Sequence, residues 1–409
     1  MTPGTVLVTD ARLGSAVSII RSLGRRGFRV IAVDSDPRSP GFYSRYAAET
    51  VRCPPPRTES KGLVATLRRV AAEREVDLII PVTDDVILPL SEARESFEGI
   101  CAIALPPGET WRRFRDKEAT LALARELGVP VPRTAVVRTL AEAREQAAGL
   151  GWPVVLKPHV SRVYGNAGNV EALQVSYAGG FARLDDQMRP FEGVCDVLLQ
   201  EYYRGEGHGV ELVLDRGHPV AAFQHRRLRE VPVTGGASSL RESVPLDPTL
   251  LEYAVRMLAA VEWTGLAMVE FKVGPDGPRL MEINGRVWGS LPLAVKCGVD
   301  FPALLAELYL GPSSRGSTTN GQPPDTSYPL GVRSRHLELE AVWIASVLRR
   351  RRRYPFLPVP RRRQALRVAL SLLDPADGYD IQDRDDPRPG LAEIARILTK
   401  PARRRAHAA

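Results

Sequence analysis

Apolar and polar positions alternate most regularly between Val269 and Arg286, in the run VEFKVGPDGPRLMEINGR. Two period-two stretches flank Gly274-Pro275-Asp276-Gly277-Pro278, a cluster that can only turn, so the pattern predicts an antiparallel hairpin. With the turn centred on Asp276, Glu270 lies directly opposite Glu282, and Asn284 follows two residues on, on the same face. Val269, Phe271, Met281 and Ile283 take the other face and read as core. Facing carboxylates destabilise a strand pair, so this pair needs a compensating cation. Oxygen-only donors on a rigid hairpin suit Mg2+, which takes one or two carboxylates and completes its shell with substrate phosphates. A solvated face whose acids pair with Lys272, Arg279 or Arg286 satisfies the spacing equally well.

The first hundred residues alternate differently. Short apolar runs at Thr5–Thr9, Phe28–Val33, Asp77–Val82 and Ile100–Leu105 are separated by helical spacing, as in Ala16, Ile19, Ile20 and Leu23 before Gly27. This order predicts a parallel sheet with crossover helices. The first turn, Asp10 to Gly14, lacks G-x-G-x-x-G, which leaves a nicotinamide dinucleotide unsupported there. Thr83-Asp84-Asp85 follows the third strand, where such sheets bind small ligands or where a helix is capped.

Beyond Pro106-Pro107 the pattern predicts a helix from Asp116 to Leu127, a second from Ala141 to Leu150, and a strand PVVLKP carrying Lys157. A lysine between buried neighbours is costly unless an anion meets it. A loop with Gly165 and Gly168 follows; it is sparse in glycine and matches no P-loop. Val197–Glu201 is a strand ending in an acid, and Val210–Leu214 with Pro219–Gln224 forms another hairpin. A basic strand end, His225 to Arg229, then leads into the polar loop Gly235–Ser239 and Arg241, a combination suited to anions.

Length adds that 409 residues exceed one ordinary core, so two or three domains are expected. No apolar stretch approaches a membrane span, and MTPGTVLVTD lacks the features of a signal peptide. Cys53, Cys101, Cys195 and Cys297 are far apart, without metal-ligand spacing, which suits reduced thiols in a cytoplasm. The charge is uneven: from Gly331 onward 18 Lys+Arg face 9 Asp+Glu, a surplus of +9 in a chain whose net charge is +8. The basic character therefore belongs to the C-terminal part. Pro312 to Pro329 is rich in Ser, Thr, Pro and Gly and reads as a linker. After it, Leu337 to Leu348 and Leu366 to Leu373 have helical spacing beside Arg349–Arg353 and Arg361–Arg363. Such faces pack on the protein body or rest on an anionic membrane. Nucleic acid is disfavoured, because no aromatic platform accompanies the arginines.

Taken in order, Asp116-Lys117, VVLKP, QEY, VEF and LMEINGR resemble the motifs of the ATP-grasp superfamily, with E-x-N-x-R at Glu282, Asn284 and Arg286 the most specific. The phrases HRRLREVPVTGGAS and MEINGRVWGSLPLAVKCGVDFP resemble predicted bacterial ATP-dependent carboligases, or carboxylate–amine ligases. The resemblance implies a multidomain fold of α/β and α+β parts. Residues 1–110 would be a Rossmann-like pre-ATP-grasp domain and 111–311 the ATP-grasp domain. Within the latter, 133–202 would form the lid and 203–311 an antiparallel metal-binding half. A linker at 312–330, a basic helical extension at 331–400 and a disordered tail at 401–409 complete the expectation.

The same resemblance implies Mg2+ (or Mn2+) and ATP as cofactors, with two ions held by Glu270, Glu282 and Asn284. Lys117 and Lys157 would meet phosphates, and Glu201 with the following Tyr202 to Arg204 the adenine. His208 or Glu206 would meet the ribose, and Arg286 the transferred phosphoryl group. Arg226, Arg227 and Arg241 are candidates for binding a substrate carboxylate or shielding the acylphosphate, and Lys296 reads as a surface variation. The implied reaction joins a small-molecule carboxylate to an amine through an acylphosphate; a carboxylase or carbamoyl-phosphate-synthase-like enzyme using bicarbonate, and a silent ATP-binding regulator, are the alternatives. The implied setting is cytoplasmic, with the inner membrane face and a homodimer left open.

Overall fold

The computed structural model describes residues 4–106, 108–159, 162–164, 170–172, 175–233, 235–311, 327–349, 356, 360–374 and 376–399. Gly165 and Gly168 of the lid loop, most of the expected linker, Arg350–Arg353 and the tail from 401 lie outside them.

Five strands, β1 (Thr5–Val8), β2 (Arg29–Asp34), β3 (Glu49–Arg52), β4 (Leu78–Ile80) and β5 (Ala102–Ile103), form an all-parallel sheet in the order β3-β2-β1-β4-β5. Four match the apolar runs of the sequence. The fifth, β3, is an edge strand of composition ETVR with no fully buried position, so it leaves no apolar signature.

The segment expected as a lid has its own sheet. Its strands β6 (Thr134–Val137), β7 (Val154–Pro158), β8 (Arg162–Tyr164), β9 (Val170–Ala172), β10 (Ser176–Ala178) and β11 (Val197–Glu201) divide into a four-stranded sheet, β10-β7-β11-β6, and the small β8-β9 pair. Val137, Leu156, Ala178, Leu184, Met188 and Leu199 form a core separate from the rest.

The third sheet has seven strands. They are β12 (Glu206–Asp215), β13 (His218–Val231), β14 (Ala237–Ser243), β15 (Gly265–Gly274), β16 (Gly277–Asn284), β17 (Arg333–Arg335) and β18 (Asp377–Tyr379), in the order β16-β15-β12-β13-β14-β17-β18. One face packs Val210, Leu212, Val269 and Phe271 in a core shared with Leu7, Ile31 and Trp111. The other face packs Val213, Phe223 and Met268 with Val6, Val8, Trp288 and Phe301. The parallel sheet and the antiparallel sheet thus share both of their main cores.

The C-terminal segment is more than a helical appendage. It has the expected helices, Leu337–Arg349 and Arg362–Ser371, but β17 and β18 extend the central sheet beside β14. One of its arginines is held in a buried network, Arg335 with Asp377 (2.9 Å) and Glu340 (2.8 Å), while Arg361–Arg363, Arg367, Arg384 and Arg388 are exposed. Arg241 of β14 pairs with Asp380, and Lys296 donates to the Tyr379 carbonyl, so Lys296 ties down this segment and is not a simple surface variation. Farther along, the buried Asp386 accepts from Arg21 Nε (3.0 Å), Ser44 Oγ (2.6 Å) and the Arg45 amide (3.1 Å) of the parallel-sheet unit. The segment therefore clasps both sheets. Leu366, Leu370 and Leu373 remain exposed, and among the described residues no helix is long and apolar enough to cross a membrane.

A buried guanidinium left without its partner typically costs about 3–5 kcal/mol. Asp386→Ala is accordingly expected to lower unfolding free energy by about that amount, measured by chemical denaturation; a loss under about 1 kcal/mol would show that the clasp is incidental.

Candidate active site

The hairpin β15–β16 has the register that alternation predicts at its open end: Met268 pairs with Asn284, Val269 with Ile283, and Glu270 with Glu282. Between Glu270 and Phe271 the register slips, so Phe271 faces Leu280. This bulge corrects one expectation. Leu280 takes the core position, while Met281 is displaced to the wall of a cavity. The bulge also ends the regular ladder where the two carboxylates meet.

Asn284 bridges those carboxylates, its Nδ2 lying 2.9 Å from Glu270 Oε1 and 3.2 Å from Glu282 Oε1. The compensating cation is neither Lys272 nor Arg279 nor Arg286. It is Arg227 of β13, whose Nη2 lies 2.5 Å from Glu270 Oε2. Arg227 crosses the intervening β12 because Gly207 stands in its path; a Cβ there would come within 3.0 Å of Arg227 Cδ. Gly209 performs the same service for His225, whose ring a Cβ would meet at 2.3 Å. The glycines of EGHG at 206–209 were the available signal for this crossing, but they mean little until β12 is known to lie between β13 and β15.

The two acids respond oppositely to their surroundings. Burial, against the opposing pull of Arg227, pushes the Glu270 carboxyl above the usual carboxylate range. Burial also acts on Glu282, but Lys117, Lys157 and the Asn284 amide outweigh it and hold that carboxyl low. Lys157 lies on β7, across the cavity, and burial pulls its ammonium down to about 8. Lys117 opens the helix Lys117–Glu126, capped by Asp116, which accepts from the Ala119 amide at 2.8 Å. The Lys117 amide also donates to the His159 carbonyl (3.2 Å), tying this helix to the end of β7. Both lysines line one cavity wall with Glu282, Asn284 and Arg286.

Arg286 donates from Nε to Asp84 Oδ2 at 2.9 Å, joining the hairpin to the helix Asp84–Glu92 of the parallel-sheet unit. Thr83 stands at the N-cap, yet its hydroxyl donates to Asp10 (3.0 Å) and makes no cap bond. The larger cavity, about 620 Å3, lies between lid and central sheet. At its hinge end are Glu201, Tyr202 and Tyr203; Tyr202 packs edge-on to Tyr177 at 6.0 Å, and Lys272 lies over its ring at 5.3 Å. The Glu201 carboxylate accepts from the Arg133 amide (2.9 Å) and Nε (2.6 Å), so it fastens the hinge as well as facing the cavity. Arg204 is not part of the wall.

Three other expected residues lie apart. His208 and Arg226 pair with one another across β12–β13 and lie on the opposite face of the sheet from Arg227. His208 bonds Gln224 (3.2 Å), Arg226 bonds Glu242 (3.0 Å), and Glu206 lies 3.7 Å from Arg226 on that same face. Arg241 shares the face of Arg227, but it is fully buried against Asp380 and does not reach the wall. Conversely, Trp288, Ser290, His336 and Leu339 line the cavity without having been anticipated.

The donor set of Glu270, Glu282 and Asn284 fits a hard divalent cation: two oxygen acids converge, an amide sits between them, and cationic groups wait across the cavity for phosphates. Among the described residues no group of three or more His, Cys, Asp or Glu side chains is placed to hold a metal ion by itself.

Residues 194–332 match the family model described as ATP-grasp in the biosynthetic pathway with Ter operon. The chain is similar to the carbamoyl phosphate synthase large chain of Deinococcus radiodurans, 27% identical over 233 residues, covering 56% of this chain and 22% of that one. The match thus spans only about a fifth of that relative's length. The formate-dependent phosphoribosylglycinamide formyltransferase of Paraburkholderia xenovorans is 27% identical over 293 residues, 69% of this chain and 68% of that one. In fold, the L-amino acid ligase from Bacillus licheniformis superposes with a TM-score of 0.60 at 16% identity, covering 77% of each chain. Parallel N-terminal sheet, separate smaller sheet, central antiparallel sheet and acid-bearing hairpin agree with these matches: the chain has the ATP-grasp fold, and its residues 194–332 match an ATP-grasp family model.

Proposed function

We propose that this protein is an ATP- and Mg2+-dependent ligase that activates a carboxylate as an acylphosphate and transfers the acyl group to an amine. The observation that carries the reading is the opposed pair Glu270 and Glu282, bridged by Asn284, with Lys117 and Lys157 across the same cavity. Glu270, Glu282 and Asn284 would hold Mg2+, which when bound neutralises charge on the phosphates of ATP. Lys157 and Lys117 would grip those phosphates, and the hinge at Glu201–Tyr203 would take the adenine. Arg286, held by Asp84, stands beside the metal acids and would stabilise charge on the moving phosphoryl group.

The substrate carboxylate oxygen attacks the γ-phosphorus, the bond to the β,γ-bridging oxygen breaks, and ADP leaves. The amine nitrogen then attacks the acyl carbon, phosphate departs with its oxygen, and the amine proton passes to solvent. Positioning and charge neutralisation supply most of such a rate enhancement. The names of two relatives bear on the choice of substrates: a formate-dependent formyltransferase acting on a glycinamide, and an L-amino acid ligase. The carbamoyl phosphate synthase relative supports a second reading in which bicarbonate is the phosphate acceptor. The cavity wall that continues past the hinge and the metal acids to His336 and Leu339 supports an organic acid as the substrate.

Incubation with Mg-ATP, pooled carboxylic acids and hydroxylamine is expected to yield hydroxamate and ADP in equal amounts. ADP release supported by bicarbonate alone, with no hydroxamate from any organic acid, would overturn the ligase reading in favour of the carboxylase. Arg286→Lys is expected to lower kcat by about 10^3-fold, as for arginines that stabilise phosphoryl transfer, while ADP affinity stays within about threefold. Equal losses in affinity and turnover would instead make Arg286 a ground-state binding group.

A further inference from the structure

Beyond the hinge and metal acids, the cavity continues into a lobe closed by the C-terminal segment. Trp288 and Ser290 enter it after the hairpin, His225 borders it, and His336 and Leu339 reach it from the start of the helix Leu337–Arg349. Trp288 is 1% exposed, and its indole Nε1–H has no hydrogen-bond partner among the described residues. A buried donor left unpaired is costly, and an accepting ligand in the lobe would satisfy it. The His225 ring is likewise fully buried; it lies 3.0 Å from Glu211 Oε1, which also accepts from Ser290 Oγ at 2.7 Å.

The helix Leu337–Arg349 brings its N-terminus, the positive end of its dipole, to the same lobe. The acids of its first turn are committed elsewhere: Glu340 to Arg335 and Arg229, Glu338 to Arg396. His336 accepts the Leu339 amide at Nδ1 (3.4 Å), which assigns its ring proton to Nε2 and makes that nitrogen a donor. Burial keeps the ring neutral by lowering its pKa. Of the acids around the lobe, Glu230 and Glu270 both pair with Arg227, and Asp380, the acid that acts most strongly on His336, pairs with Arg241.

We propose that this lobe binds a carboxylate of the organic substrate through Trp288 Nε1 and His336 Nε2 at the N-terminus of that helix, so that the C-terminal segment builds part of the substrate site. The occupant's identity as a substrate rests on the ligase reading. A carboxylate suits the lobe better than a phosphate for two reasons. The phosphates of ATP already have Lys117 and Lys157, whereas the donors here are neutral N–H groups. Trp288 and Leu339 also provide apolar surface that an organic acid can cover.

The test is a thermal-shift titration of the full chain with Mg-ADP present, using the twenty L-amino acids and simple mono- and dicarboxylic acids, each beside its primary amide. At least one acid is expected to stabilise the protein where its amide does not. Trp288→Phe keeps the ring and removes the N–H; it is expected to weaken that acid by about tenfold, with Mg-ADP affinity within about twofold. His336→Ala should weaken the acid similarly and His336→Gln should restore it, which covers the case of a poorly folding Trp288 variant. Equal stabilisation by acid and amide, unchanged affinity in these variants, or no binding by any acid would overturn the proposal. Acid binding without ADP release in the presence of any amine would leave the lobe standing and sink the ligase reading. ADP release unaffected by Trp288→Phe and His336→Ala would do the reverse.

Discussion

The structure turns on the repulsion between Glu270 and Glu282, two carboxylates set directly opposite on adjacent strands and half-buried at the wall of a cavity. A ladder with unlike neighbours would be more stable. The chain keeps the pair and surrounds it with positive charge: Arg227 from β13, Lys157 from the lid, and Lys117 from the helix before the lid. Each of these comes from a different part of the chain. The opposed acids therefore bind lid, central sheet and interdomain helix into one electrostatic arrangement, which a divalent cation and phosphates would complete. The opposite displacement of the two carboxyl groups follows from the same asymmetry, since Glu270 has one arginine and Glu282 has both lysines.

A second constraint is the distribution of buried ion pairs in the C-terminal segment. A buried pair gains little net stability over apolar packing, but it tolerates only one arrangement of its partners. Asp380 with Arg241, Asp377 with Arg335 and Asp386 with Arg21 fix this segment against the central sheet and the parallel sheet at once. Fixed in this way, the segment brings His336 and Leu339 to the cavity wall. It is the segment's acids, Asp380 and Asp386, that are committed inside the protein to arginines of the body, where charge counting from sequence cannot locate them.

The opposed acids, the bridging Asn284, the lid lysine and four of the five parallel strands were legible in the sequence because alternation and spacing determine them locally. Arg227 as the partner of Glu270 was not legible, because it depends on strand order and on the missing side chains of Gly207 and Gly209. His208 and Arg226 were misplaced for a related reason: without the register of β12 against β13, the face of each residue is a free choice, and a one-residue shift reverses it. Met281 followed the alternation and was wrong by one bulge. The strands β17 and β18, three residues each, are too short to carry a periodic signal, and they are specified by the partners they find.

The central claim is that the opposed acids form a metal-nucleotide site, and the affinity for ADP measured by titration calorimetry with and without Mg2+ tests it most directly. In the full chain Mg2+ is expected to tighten ADP binding by about tenfold or more, and in Glu282→Gln by less than about twofold. The same enhancement by Mg2+ in both proteins would contradict the assignment.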